Sequence, residues 1–398
     1  MNREDFPMLN KDIIYFDNGA TTLKPKCVID KQVDYYSNYS ANAHRGSYDI
    51  SYKVNEEYED SRELVRSFIN ARLKEEIVFT SGTTESLNMI ANGFFSNLIE
   101  AGDEIIITKS EHASNVLPWF KLAKTRGAVI KYIPLDDNYH VTIENLKSII
   151  TKNTKVISLA YITNVIGDMR PIKDICKFAH QNDIYVVVDA AQSIGHIKTD
   201  VIDSDIDFLA FSGHKMLGPT GIGVLYGKYE LLNNLEPVNL GGGMNESFDD
   251  IDRVVLKELP TRLEGGTPNI AGVIGLGESI RYINKIGIDN IMNREKELRK
   301  YLIDKLINIK HIDILNLEAD SPIVTINVDN IFSEDVSYYL NKYHICTRAG
   351  NHCSKLTKNF LGVENSLRIS LYFYNTKREI DELVDLLKDK DKIMKEML

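Results

Sequence analysis

Lys215 stands where a lysine has little freedom to reach water: an apolar run, 208–212, precedes it, and a glycine-rich turn, Met216-Leu217-Gly218-Pro219-Thr220-Gly221-Ile222-Gly223, follows. Desolvation lowers the pKa of an ammonium and favours the neutral amine that forms imines, although a bare His-Lys pair by itself reads more readily as a surface loop. Asp189 closes the run Tyr185-Val186-Val187-Val188, and a carboxylate at the exit of a buried strand is costly unless something pairs with it, be it a cation or a helix end. Ser81-Gly82-Thr83-Thr84-Glu85 is a small-residue turn opening a helix, suited to a phosphate through free backbone N–H groups and the helix dipole, or simply a helix cap. Asp189 precedes Lys215 by 26 residues, one strand-to-strand step, with the turn upstream of both. An acid to keep a pyridine nitrogen protonated, a lysine to hold an aldehyde and a cradle for a phosphate are together what pyridoxal 5'-phosphate demands.

The elements that must position these groups follow from hydrophobic pattern. Short β-branched runs at 76–80, 104–108, 129–134, 155–161, 184–189, 208–212 and 223–227 alternate with helical patterns. Most lack polar alternation, as in strands covered on both faces. Between them, Leu87, Ile90, Ala91 and Phe94 fall on one helical face over 85–95. The alternation predicts an α/β domain with a mostly parallel seven-stranded sheet, whose ligand sits outside the carboxyl ends of the strands. Beyond residue 284 the texture changes to a long charged helix over 289–308, short strands near 321–328, 345–348 and 366–370, and a final helix capped by Thr376 and Glu379, with Ile380, Leu383, Val384 and Leu387 in one stripe. The predicted organisation is a large domain over 16–283 and a smaller α+β domain from 1–15 and 284–398.

Composition narrows the classes. The 398 residues carry 47 Lys+Arg against 57 Asp+Glu, a net charge of −10, with 43% hydrophobic residues. That balance suits a globular protein of about two or three domains and argues against nucleic acid as the main ligand. No run approaches the ~20 apolar residues of a membrane span, and the first residues resemble no secretory signal. Cys27, Cys176, Cys346 and Cys353 form no metal-binding or disulfide pattern, so a reducing, cytoplasmic setting and no metal are expected. Neither a G-x-x-x-x-G-K-[ST] loop nor a strand-to-helix G-x-G-x-x-G supports a nucleotide-binding or scaffold protein without a covalent cofactor.

Phe211-Ser212-Gly213-His214-Lys215 through Gly223 resembles the lysine motif of class V aminotransferase-fold enzymes, and most of all the SufS-type (group II) cysteine desulfurases. The resemblance runs from Tyr15-Phe16-Asp17-Asn18-Gly19-Ala20 to Tyr372-Phe373-Tyr374-Asn375 and implies the type I fold of pyridoxal-phosphate-dependent transferases. It implies Lys215 as the Schiff-base lysine, Asp189 as partner of the pyridine nitrogen, Gln192 and Asn164 at the phenolic oxygen, and His112 stacked on the ring and moving protons. Thr83, Thr84, Ser212 and His214 would hold the phosphate. Thr267 would reach the phosphate of a neighbouring subunit, which implies a homodimer with shared active sites.

Arg348-Ala349-Gly350-Asn351-His352-Cys353 resembles the family's Arg-x-Gly-His-His-Cys segment, whose cysteine takes sulfur from the substrate, with Asn351 where histidine is usual. His352 and Lys355 are expected to favour the Cys353 thiolate; Cys346, in an apolar strand, is expected in the core. Arg368 matches the family's substrate-carboxylate arginine, and an arginine inside a short apolar strand requires an anion or buried acid beside it. Arg348, Asn18, Ala20, His44 and Arg45 would line the substrate side. The implied reaction converts L-cysteine to L-alanine with a persulfide on Cys353, its sulfur passed to a SufE- or SufU-like carrier or scaffold for iron–sulfur cluster assembly. Selenocysteine lyase and cysteine-sulfinate desulfinase would use nearly the same residues; a class V transaminase would not need Cys353.

Overall fold

Continuous apolar runs build the central sheet because both of its faces are covered. The computed structural model describes residues 2–43 and 46–397. A two-residue strand β1 (Ile14–Tyr15) precedes β2 (Ile77–Thr80), β3 (Glu104–Ile107), β4 (Val129–Tyr132), β5 (Thr154–Ala160), β6 (Tyr185–Asp189), β7 (Phe208–Ser212) and β8 (Gly223–Gly227). These seven form one sheet in the order β2-β8-β7-β6-β5-β3-β4, parallel throughout except that β8 runs antiparallel to both neighbours. The mostly parallel seven-stranded sheet expected from the sequence is thus present. β4 stops at Tyr132, short of the expected 134, where proline has no N–H to donate.

Successive residues of one strand enter opposite cores. Ile106, Val186 and Val188 join a cluster under the helices Lys26–Asn38, Asp49–Phe68 and Ile270–Ile286, whereas Ile105, Ile107 and Val187 pack with Phe94, Phe95 and Trp119 on the other face. The helix expected over 85–95 begins earlier, at Thr83, and widens into a π-turn at Ile90–Phe94. There the Gly93 carbonyl accepts the Glu236 N–H at 3.1 Å, a long-range contact that no local pattern encodes.

β9 (Asn245–Phe248) and β10 (Val254–Leu256) form a hairpin. A second sheet of β11 (Ile312–Ile314), β12 (Ile323–Val328), β14 (Arg348–Gly350) and β15 (Ser366–Ser370) is antiparallel in the order β11-β12-β15-β14. The single strand expected over 345–348 is two: β13 (Ile345–Cys346) pairs with β1, and β14 turns away to pair with β15. Helices Ile288–Leu306 and Lys377–Leu387 cover this sheet, and a further helix, Lys390–Met397, follows. The Thr376–Glu379 capping box forms, with Thr376 Oγ1 accepting Glu379 N–H (3.2 Å) and Glu379 Oε2 accepting Thr376 N–H (2.8 Å). The N-terminal segment serves both regions: Phe6 packs against Tyr282, Phe373 and Tyr374, while Phe16 belongs to the core of the second sheet. Among the described residues no helix is long and apolar enough to cross a membrane.

Candidate active site

The carboxyl ends of β5, β6 and β7 open onto a cavity of about 220 Å³ that reaches from the sheet to the loop after β14. Lys215, Asp189, Gln192, Asn164, His112, Thr83, Thr84, Ser212, His214, Ala20, Arg348, Arg368 and Cys353 all line it. Residues 215 and 353, far apart in the chain, share one chamber.

Lys215 ends a single turn, Gly213–Lys215, that leaves β7. Buried Met216 and Leu217 anchor the turn, and the segment after β1 pins it: the His214 carbonyl accepts Thr22 N–H (3.0 Å) and Lys24 Nζ (2.9 Å). Burial pushes the Lys215 amine down to about 8; Asp189 and Cys353 pull it back up, whereas Arg368 and Arg348 push it lower. Asp189 Oδ1 accepts Ala191 N–H at 2.9 Å, and burial lifts the carboxyl to about 6 against the pull of that N–H and of Lys215.

The small-residue turn lies against the start of β8. A Cβ on Gly223 would stand 2.4 Å from Gly82 Cα, so only glycine lets the turn come this close. Ser212 Oγ accepts Thr83 N–H and meets Thr83 Oγ1, both at 2.8 Å, and Thr84 Oγ1 meets Ser114 Oγ at 2.7 Å. Gln192 Nε2 donates to the Gly19 carbonyl (2.7 Å). Asn164 Nδ2 donates to the His352 carbonyl (2.8 Å), which leaves its second amide hydrogen for the cavity.

His112 caps a short turn: its Nδ1 accepts Ser114 N–H at 3.1 Å, so the neutral ring carries its proton on Nε2. Burial, with Lys215, Arg368 and Arg348 adding repulsion, pushes this imidazole down to about 4. Burial likewise pushes His214 to about 4.

Cys353 is exposed, on a loop with two consecutive left-handed residues, His352 (φ 52°) and Cys353 (φ 57°). Asn351 Oδ1 accepts Cys353 N–H (3.2 Å), Ala113 N–H donates to the Cys353 carbonyl (2.8 Å), and Ser354 Oγ donates to Asn164 Oδ1 (2.7 Å). The cysteine loop is thereby tied to the residue beside His112 and to Asn164. The expectation that His352 favours the thiolate is corrected. His352 is buried with Nε2 against Ser366, and burial pushes it down to about 3, leaving it uncharged; Lys355 is exposed and does not line the cavity. Cys346 is half-buried rather than fully in the core, and neither it, Cys27 nor Cys176 lines the cavity.

Arg368 Nη1 donates to the Asn164 carbonyl at 2.9 Å, and Nη2 pairs with Asp17 Oδ1 at 3.3 Å. Asp17 is the acid that an arginine in an apolar strand requires. Asn18 is corrected as a lining residue: Nδ2 donates to the Ser370 carbonyl (2.7 Å), Oδ1 accepts the Tyr374 hydroxyl, and the side chain turns away from the cavity. Thr267 is exposed and lies outside this chain's cavity. His44 and Arg45 lie outside the described residues. Sequence reasoning missed Asp17, Ser114, and the buried pair Glu111–Arg170 behind His112. For Asp17 the signal was present as the acid demanded by Arg368, but nothing local says which acid it is.

The donor set fits pyridoxal phosphate. Among the described residues no hydrogen bond reaches Lys215 Nζ or Asp189 Oδ2, although both residues face the cavity. An amine with a lowered pKa, a carboxylate with a free oxygen, a neutral imidazole and a turn rich in hydroxyl groups are the partners of an aldehyde, a pyridine nitrogen, an aromatic face and a phosphate.

A model of the aminotransferase class-V family matches residues 14–383. The chain is 41% identical over 383 residues to a probable cysteine desulfurase of Halalkalibacterium halodurans, covering 95% of this chain and 94% of that one. It is 42% identical over 392 residues to a probable cysteine desulfurase of Staphylococcus epidermidis, covering 97% and 95%. Its structure is similar to the apo cysteine desulfurase of Thermococcus onnurineus NA1, with a TM-score of 0.94, 37% identity and coverage of 99% and 97%. It is also similar to the Escherichia coli cysteine desulfurase CsdA in its S-sulfonic acid form, with a TM-score of 0.93, 35% identity and coverage of 100% and 98%. With relatives of this identity aligned from end to end, the chain belongs to the class-V aminotransferase family, among its cysteine desulfurases.

Proposed function

We propose that this chain is a pyridoxal-phosphate-dependent cysteine desulfurase that takes sulfur from L-cysteine, releases L-alanine and carries the sulfur as a persulfide on Cys353. The reading rests on one observation: Lys215, Arg368 and Cys353 line the same cavity. Lys215, Asp189, Gln192, Asn164, His112, Thr83, Thr84, Ser212 and His214 would hold the cofactor, which when bound supplies an electron sink conjugated to the substrate amine.

The chain's own groups divide the work. Arg368 holds the substrate carboxylate through a planar fork, with Arg348 on the open side and Ala20 in the wall. Lys215, with its amine pushed toward neutral pH, takes the proton from the substrate α-carbon. His112, neutral and protonated on Nε2, relays protons in the cavity that it shares with Lys215. The Cys353 sulfur attacks the substrate sulfur; an S–S bond forms as the substrate Cβ–S bond breaks, and the organic fragment keeps the electron pair and gains a proton at Cβ to become alanine. The balance is cysteine plus enzyme thiol giving alanine plus enzyme persulfide.

The same reading makes the enzyme a cytoplasmic homodimer that passes sulfur to a SufE- or SufU-like acceptor for iron–sulfur cluster assembly. Apolar side chains left in solvent around the β9–β10 hairpin, Phe248 at 72% exposure and Ile251 at 68% among them, support a second copy, and exposed Thr267 is free to reach its phosphate. It also divides the chain into a large domain over 16–283 and a smaller one from 1–15 and 284–398, a boundary close to where the helices Ile270–Ile286 and Ile288–Leu306 meet.

Mass spectrometry after addition of L-cysteine tests the proposal. The Cys353 peptide should gain one sulfur as alanine appears, and Cys353→Ser should abolish both. Full alanine release by Cys353→Ser overturns the assignment.

A further inference from the structure

Lys24 does not line the cavity, yet its amine is committed to the turn that carries Lys215. Nζ donates to the His214 carbonyl (2.9 Å), to Thr21 Oγ1 (3.2 Å) and to the Thr22 carbonyl. All three partners are neutral oxygens. Burial pushes the amine down to about 7, and no acid pulls it back. Taking a lysine out of water without a carboxylate is unfavourable, and three N–H groups that meet three acceptors are what offsets it.

The His214 carbonyl belongs to the peptide that joins His214 to Lys215. Thr22 N–H (3.0 Å), the Thr21 hydroxyl (3.1 Å) and the Thr22 hydroxyl (3.2 Å) converge on the same oxygen, and Thr22 Oγ1 accepts Leu217 N–H (2.8 Å). Residues 21–24 thus grip the turn on both sides of Lys215. The carbonyl has lone pairs for only two of its donors, and a charged N–H makes the stronger bond. The gripping segment is itself fixed: Leu23 N–H donates to the hydroxyl of buried Tyr374 (3.0 Å), and Pro25 opens the helix Lys26–Asn38.

We propose that Lys24 is a positioning residue for Lys215: by holding the His214–Lys215 peptide it sets where the Lys215 amine meets the aldehyde of the cofactor. This rests on the desulfurase reading above, in which Lys215 is the amine that binds the aldehyde. Amine and aldehyde join with loss of one water and must approach along a narrow path, so a small displacement of the turn is felt at Nζ. A counter-charge for the phosphate is the competing role, because Lys24, after burial and Lys215, also lowers the proton affinity of the His214 ring.

Two aldehydes tell the roles apart. Pyridoxal 5'-phosphate and pyridoxal, which lacks the phosphate, are titrated into the full-length chain freed of cofactor, and the imine is read by its visible absorbance. Lys24→Met should weaken binding of both by about ten-fold, the scale of one hydrogen bond from a charged donor. Lys24→Arg, which still brings a charged N–H to the carbonyl, should restore most of the loss. Weakening of pyridoxal 5'-phosphate alone would make Lys24 a counter-charge for the phosphate and overturn the proposal. Unchanged binding of both aldehydes would do the same, as would a Lys24→Arg variant as weak as Lys24→Met. The second measurement is hydrogen exchange of the 213–217 segment in the same cofactor-free chain, read by mass spectrometry. It should be about ten-fold faster in Lys24→Met, and exchange as slow as in wild type overturns the proposal. If Lys24→Met does not fold, Lys24→Gln, uncharged and one atom shorter, takes its place with the same expectations. If wild type forms no imine with either aldehyde, the desulfurase reading fails, while exchange still decides whether Lys24 holds the turn.

Discussion

Glu111 and Arg170 form an ion pair entirely out of solvent, directly behind the loop that carries His112. Every oxygen of Glu111 is occupied: Oε1 accepts Arg170 Nη1 and the Thr108 hydroxyl, and Oε2 accepts Asn115 Nδ2 and Ala160 N–H, both at 2.8 Å. Arg170 Nη2 in turn donates to Thr108 Oγ1 (2.8 Å) and Ser110 Oγ (2.7 Å). The pair thus joins the ends of β3 and β5 and fixes the backbone from which His112 projects.

Arg170→Met should destabilise the fold by about 3–5 kcal/mol, because it leaves the Glu111 carboxylate buried without its cation. The exposed Lys300–Asp304 pair, at helical i,i+4 spacing, is the control, and losing it should cost only about 0.3–0.5 kcal/mol. Urea denaturation of the two variants measures both; a cost below about 1 kcal/mol for Arg170→Met contradicts the account.

Acid should unfold the cofactor-free protein before the ordinary carboxylate range is reached. Burial lowers His112 and His214 to about 4 and His352 to about 3, from 6.5. Since the unfolded chain takes up these protons first, the stability that neutral imidazoles contribute is fully present above pH 6.5 and is lost as pH falls through about 4. Asp189, raised from 3.8 to about 6, works in the opposite sense over that window, as do Asp168 and Glu295, both raised by burial, against the larger drops at the three imidazoles. The urea midpoint should decline as pH falls from 8 to 5, because Lys24 and Lys215, lowered by burial to about 7 and about 8, also take up protons first in the unfolded chain. A midpoint that stays flat down to pH 5 would refute this.

Gly19→Ala should raise KM for cysteine several-fold and leave the visible absorbance of the bound cofactor in place. The new Cβ would crowd Arg368 Cζ at 3.1 Å, Nη2 at 3.2 Å and Ser370 Cβ at 3.3 Å, and all three belong to the carboxylate end of the site. A variant with wild-type KM would show that the guanidinium has more room than the packing allows.

Asn351→Ala should slow persulfide formation about ten-fold with little effect on stability. Two adjacent left-handed residues other than glycine cost on the order of 1–3 kcal/mol each, and the Asn351 side chain supports them by accepting Cys353 N–H at 3.2 Å. Asn351→Asp keeps the acceptor and should restore the rate. Mass spectrometry of the Cys353 peptide at early times follows both; an alanine variant as fast as wild type removes this role.

The sequence alone determined what depends on neighbours along the chain. The apolar runs specified strands buried on both faces, Thr376 and Glu379 specified a helix start, and the settings of Lys215 and Asp189 announced an unusual amine and an unusual acid. Backbone period, capping and local desolvation act over a few residues, so their signals survive in a linear string. Tertiary structure decided everything that depends on register and shared burial. It divided the strand expected over 345–348 and so set Arg348 opposite Arg368. It brought Asp17 to an arginine 351 positions away. It spent the Asn18 amide on Ser370 and Tyr374, and it buried His352 until that ring lost its charge. Charge pairing and proton affinity are properties of an environment that exists only once the two sheets have closed over the cavity, which is why no spacing along the chain could have declared them.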